Sequence, residues 1–152
     1  MKNNKLIQES ILKLKRLVYG RRGEPYSFGG QSLRFSPGTR PVRTKYRTSP
    51  NACARNDALQ VELVGSMLSA GDTAFDIGAH AGQYGVLMSA RCGPSGQVVC
   101  FEPDPDAIAC LERNFSLNGM LKAPILVSKA CSDTNGTAEF YTQGGNSQSS
   151  LS

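Results

Sequence analysis

GDTAFDIGAHAGQYG, residues 71–85, runs from a short apolar stretch, TAFDI, straight into a loop of small residues and then into a helical pattern. An aspartate at the carboxyl end of a buried strand, followed at once by glycines and a helix start, gathers backbone N–H groups and one carboxylate at a single point. That arrangement suits a nucleotide-like cofactor. Whether it sits in a wound parallel sheet depends on what flanks it.

Upstream, Leu59, Leu63 and Met67, with Val64 and Leu68, recur at helical spacing over residues 55–69, and Ala70-Gly71-Asp72 ends that helix. Downstream, Gly82 to Ala90 reads as a helix. QVVCF (97–101), after the turn Gly93-Pro94-Ser95-Gly96, reads as a second buried strand. In EPDPDAIACLERNFSLNG (102–119), Asp104 suits a helix cap and Pro105 the first helical position. Ile108, Leu111 and Phe115 form the apolar stripe, which stops at Asn118-Gly119. APILVS (123–128) follows as a third strand, and GTAEFYT (136–142) as a fourth that pairs locally; Asn135-Gly136 is a hairpin signal. Strand, helix, strand, helix, strand is the order of an α/β parallel sheet with right-handed crossovers. Its carboxyl edge would gather Asp76, Glu102 and the Ala130-Cys131-Ser132-Asp133 segment.

The chain has 152 residues, 39% hydrophobic and 19% charged, the composition of one globular domain. No apolar run approaches the roughly 18 residues of a membrane helix, and charges interrupt MKNNKLIQESILKLKRLV where a signal peptide would be continuously apolar. A cytoplasmic location is expected. Cysteines 53, 92, 100, 110 and 131 form no C-x-x-C pair and only one histidine accompanies them, so no metal site is expected. Cys100 and Cys110 read as small buried hydrophobes, and free thiols fit a reducing compartment.

Charge divides the chain. Residues 1–50 hold twelve Lys and Arg against Glu9 and Glu24, a surplus of +10, whereas residues 51–152 hold five against ten acids, a deficit of −5. Ile7, Ile11, Leu14 and Val18 lie at helical spacing, with Lys5, Lys13, Lys15 and Arg16 available to the other side. Such a basic amphipathic helix either packs on the domain or contacts an anionic surface. Between Gly20 and Pro50, SLRF and PVRTKY flank SPGT as a loose hairpin. Arg40, Arg43, Lys45 and Arg47 accompany no nucleic-acid motif, and no specific nucleic-acid partner is expected.

Three cofactors compete for the loop. A P-loop requires G-x-x-x-x-G-K-[ST], and neither the lysine nor the hydroxyl is present. A dinucleotide fingerprint requires G-x-G-x-x-G, but His80 occupies the second glycine's place in Gly78-Ala79-His80-Ala81-Gly82. An NAD-linked oxidoreductase with Glu102 on the ribose remains an alternative. S-adenosylmethionine carries no phosphate. It asks for a carboxylate near its amino-acid end, met by Asp76 and the glycine loop, and another at its ribose diol, met by Glu102.

The three segments GDTAFDIGAHAGQYG, VVCFEPDPDAIACLERNFSLNG and LVSKACSDTNGTAEFY, in that order, resemble the N-terminal half of an FkbM-type, class I S-adenosylmethionine-dependent methyltransferase over roughly residues 55–152. The resemblance implies a Rossmann-like parallel sheet with helices on both faces, here incomplete: the first three strands and a local hairpin, preceded by the N-terminal basic helix. It also implies O-methylation of a small-molecule or sugar hydroxyl. By the same resemblance Asp76, Gly78 and Gly82 belong to the first cofactor motif, with His80 in place of a common asparagine. Glu102, Pro103 and Asp104 form the acidic end of the second strand, and Ser132 and Asp133 the serine-aspartate pair near the adenine. No catalytic residue is assigned.

The expected organisation is a basic extension over residues 1–50 and a partial methyltransferase domain over 51–152. The family continues past a segment like GGNSQSSL into further strands, so the chain reads as a fragment with at most cofactor binding alone. Its first strand would lack one neighbour, with poor solubility as the consequence. A non-catalytic module that binds anionic surfaces through residues 1–50 is the remaining alternative.

Overall fold

The computed structural model describes residues 2–39, 41, 52–141 and 150–151. Helix α1 (Lys2–Tyr19) precedes strands β1 (Glu24–Phe28) and β2 (Gln31–Phe35). Then come α2 (Ala52–Met67), β3 (Thr73–Ile77), α3 (Gln83–Cys92), β4 (Gln97–Phe101), α4 (Pro105–Ser116), β5 (Ile125–Val127), β6 (Phe140–Tyr141) and β7 (Ser150–Leu151). The fold is mixed α/β, a partial Rossmann-like arrangement. β3, β4 and β5 form one parallel sheet in that order, with Asp76 level with Cys100 and Phe101 level with Val127.

Alternation along the strands decides which face is covered. Ala74 and Asp76 of β3 and Val98 and Cys100 of β4 are buried beneath α3 and α4, whose Val86, Leu87, Leu111 and Phe115 complete the core. Thr73, Phe75 and Ile77 point the other way and are exposed; Phe75 stacks on Phe101 with ring centroids 6.4 Å apart. Parallel sheets ordinarily have both faces covered, yet among the described residues the helices gather on the Asp76 face. β3 has a hydrogen-bonded neighbour on one side only, also among the described residues.

The hairpin is not the expected one. β2 pairs antiparallel with β1 across Gly29-Gly30, with Glu24 opposite Phe35 and Phe28 opposite Gln31. SPGT is instead a turn that ends β2, the Thr39 N–H donating to the Ser36 carbonyl at 3.0 Å. The arm PVRTKY lies outside the described residues beyond Pro41, as do Arg40, Arg43, Lys45 and Arg47. Phe28, Leu33 and Phe35 enter the core, and Phe28 packs edge-on to Tyr84 of α3 with centroids 6.1 Å apart.

Two asparagines, one in α4 and one just past its end, fasten this hairpin. Asn118 accepts the Arg34 N–H at 2.9 Å and donates to the Arg34 carbonyl at 2.7 Å. Asn114, fully buried, accepts the Ser36 N–H at 2.7 Å and donates to the Ala81 carbonyl at 2.8 Å. The expected fourth strand is short and pairs with β7. Asn135-Gly136 closes no hairpin: the polar CSDT before it supplies no strand, and Asp133, Thr134 and Gly136 are bends.

Candidate functional site

The carboxyl ends of β3 and β4 place two carboxylates together. Asp76 is the last inward-facing residue of β3 and is 8% exposed; Glu102, the first residue past β4, is 6% exposed. The Gly78 and Ala79 N–H groups both donate to the Phe101 carbonyl at 3.0 Å, so the loop is tied to the end of β4. The next amide, His80 N–H, donates to Glu102 Oε2 at 2.7 Å, and Asp104 N–H donates to Glu102 Oε1 at 2.9 Å. One backbone donor on each oxygen fixes the carboxylate and leaves further lone pairs for an incoming hydroxyl.

Asp76 is held differently. Its Oδ2 has no hydrogen-bond partner although it is buried. Burial raises its pKa from 3.8 to about 6, the Gly85 N–H opposes that shift, and the nearby Glu102 charge adds to it. A buried acceptor without a donor costs of order 1–3 kcal/mol, so the site retains an unmet demand for a cation or an N–H donor. His80 is strained beside it, with φ 47°, and its Nε2 is likewise buried without a partner.

The loop glycines divide by role. At Gly78, φ is 78° and a side chain would meet nothing within 4 Å, so the backbone there is open to close approach. At Gly82, which caps α3 in the left-handed region, a Cβ would lie 2.7 Å from Leu111 Cγ, so this glycine admits α4. Sequence reading missed Gly85. A Cβ there would lie 2.8 Å from Cys100 Sγ and 3.2 Å from Asp76 Oδ2, so only glycine lets α3 settle over the aspartate. A glycine inside a helical pattern was the available signal. Asn114 gave none, since its value comes from the hairpin it holds.

The remaining expected residues follow β4 and β5. Asp104 is the cap of α4, accepting from Asp106 N–H at 2.9 Å and Ala107 N–H at 3.4 Å. Pro103 and Ser132 line an open cleft of about 510 Å³ beside β5, together with Ser128, Lys129 and Ala130. Ser132 and Asp133 are exposed, with Ser132 Oγ donating to Asp133 Oδ1 at 3.2 Å. Thus Asp76, Gly78, His80 and Glu102 gather at the ends of β3 and β4, while Ser132 shares a cleft with Pro103 and Asp133 is exposed.

The sequence model of the FkbM methyltransferase domain matches residues 76–152, just over half of the chain, and the match begins at Asp76. The chain belongs to the FkbM methyltransferase family. No curated protein matches it. Within this FkbM-family chain, the matched span takes in the loop, both carboxylates, α4 and β5; α1, the β1–β2 hairpin and α2 precede it.

Proposed function

We propose that this FkbM-family protein is an S-adenosylmethionine-dependent methyltransferase acting on the hydroxyl of a small molecule or sugar. The observation that carries the reading is the convergence of two buried carboxylates, one of them with an orphan oxygen, on the open backbone at Gly78. S-adenosylmethionine presents an ammonium and a ribose diol to such a site, whereas a dinucleotide would bring an anionic pyrophosphate toward two carboxylates.

In this reading Asp76 Oδ2 accepts from the ammonium group and the Gly78 backbone lies against the methionyl chain. Glu102, held by the His80 and Asp104 amides, accepts the ribose hydroxyls, at about 1.5–3 kcal/mol for each charge-assisted bond. Pro103 and Ser132 border the space for the adenine. When bound, the cofactor supplies an electrophilic methyl group on a sulfonium centre. The protein's part is to hold it and to align an acceptor oxygen, and such positioning is worth up to roughly 7–11 kcal/mol.

Calorimetric titration with S-adenosylmethionine and with NAD tests the reading. We expect binding of the first only, lost in Glu102→Ala and kept in Glu112→Ala, because Glu112 is an exposed residue of α4. Equal dissociation constants for the two variants would remove Glu102 from the site, and a preference for NAD would replace the methyltransferase reading with the oxidoreductase one.

A further inference from the structure

α1 is mounted with its apolar side outward. Its half-buried residues are Leu12, which lies over Gly38, Lys15, whose Nζ pairs with Glu24 at 2.7 Å, and Tyr19 at its end. At 100° per residue, Leu6, Ile7, Ile11, Leu14, Leu17 and Val18 share an arc away from that contact, and all six are exposed, Leu17 at 83%. A stripe of six large aliphatic side chains facing water is a surface that asks for a partner.

The arc is bordered on one side by exposed Lys13 and Arg16, with the single acid Glu9 between them. At the carboxyl end, Leu17 and Val18 form a cleft of about 410 Å³ with Arg16, Gly20, Arg21 and Arg22. In the turn that follows the helix, Arg113 donates to the Gly20 carbonyl at 2.7 Å, and Arg34 donates to the Arg22 and Gly23 carbonyls at 3.1 Å. Five arginines thus stand beside two exposed apolar side chains.

We propose that α1 docks this protein on the surface of an anionic lipid bilayer. The aliphatic arc enters the boundary between headgroups and acyl chains, and the arginine-lined cleft at its end takes a lipid phosphate. Charge complementarity selects this occupant. A second copy of α1 would bring the same cations together. A nucleic acid would use the arginines and leave the aliphatic arc in water. Docking in this way does not depend on the cofactor reading, since it uses no residue of the β3–β4 edge. No helix of the described residues is long and apolar enough to cross a membrane, so the contact is with the surface.

Co-sedimentation of the full chain with vesicles is the test. We expect binding to phosphatidylcholine vesicles that contain phosphatidylglycerol, little binding to phosphatidylcholine alone, and release as salt is raised. Leu14→Glu/Leu17→Glu should weaken binding by at least about tenfold with an unchanged circular-dichroism spectrum, because both leucines are exposed. Phe75→Ser, on the open face of the sheet, should leave it unchanged. Absence of vesicle binding overturns the proposal, as does equal binding by the leucine variant. Loss of binding in Phe75→Ser would assign the contact to the sheet instead. A concentration-dependent dimer abolished by the leucine variant, without vesicle binding, would make a second copy the occupant. Displacement by single-stranded RNA with no effect of the leucine variant would make it nucleic acid.

Discussion

In α4 the apolar stripe is inside, with Leu111 at 1% and Phe115 at 7% exposure, whereas in α1 Leu14 stands at 62%. The two helices carry equally plain helical periodicity, and what separates them is how they are tethered. α4 is capped by Asp104 two residues past Glu102, so its start is fixed at the edge of the sheet, and Gly82 makes room for it. α1 meets the domain on its far side, where Lys15 pairs with Glu24 and Leu12 lies over Gly38. Amphipathicity states that a face is to be covered; the connection and the partner surface decide by what.

The largest test of this difference removes one leucine from each helix. Leu111→Ala should destabilise the protein by about 2–5 kcal/mol in chemical denaturation, and Leu14→Ala should stay within about 0.5 kcal/mol. Comparable losses would mean that α1 buries its arc against the domain in solution.

A second test lies under α4 itself. Gly85 lies between Phe115 of α4 and Asp76, so packing over this glycine contributes to the desolvation of the carboxylate. Because its folded pKa, about 6, lies above the ordinary 3.8, the folded state holds this proton more tightly. The resulting stability is full below about pH 4 and declines as pH rises through 6. Asp76→Asn lacks that titration and should be more stable than the native chain by about 2–3 kcal/mol above pH 7, the gap closing at acid pH. A gap independent of pH would show that Asp76 is not desolvated. The same protonation should weaken S-adenosylmethionine binding below about pH 6.

The smallest effects concern the tethers. Asp104→Ala should cost about 1 kcal/mol through the lost cap, and Lys15→Ala less than about 1 kcal/mol, since that pair is partly solvated. If Lys15→Ala cost more than Asp104→Ala in thermal unfolding, α1 would be bound more firmly than its contacts indicate.

These contrasts mark where the sequence is readable. β3, β4 and β5 and both ends of α4 follow from local signals: short apolar runs between turns, Asp104-Pro105 at the start, Asn118-Gly119 at the end. Asp76 and Glu102 could be placed at one edge because parallel crossovers put strand ends together. The β1 strand escaped notice because Pro25 and Ser27 break its apolar pattern, while SPGT offered a stronger turn signal than Gly29-Gly30. The Asp104 amide reaches Glu102 from two residues away, but the bond from the His80 amide joins residues of two crossovers, and no local pattern encodes it. The outward arc of α1 was equally hidden, for periodicity carries no information about which way a helix is turned.

The amide clamps of α4 bear on how the molecule breathes. Arg34 and Ser36 N–H groups are held by side chains of Asn118 and Asn114 and not by a neighbouring strand. Their deuterium uptake therefore follows the lifting of α4 from the hairpin, while the ladder amides of β1 and β2 follow the opening of the hairpin itself. Two adjacent sets of protons in and beside one hairpin would then report two separate opening events. A molecule whose Arg34 amide exchanges with α4, ahead of its own hairpin, has the strand and the helix in different cooperative units.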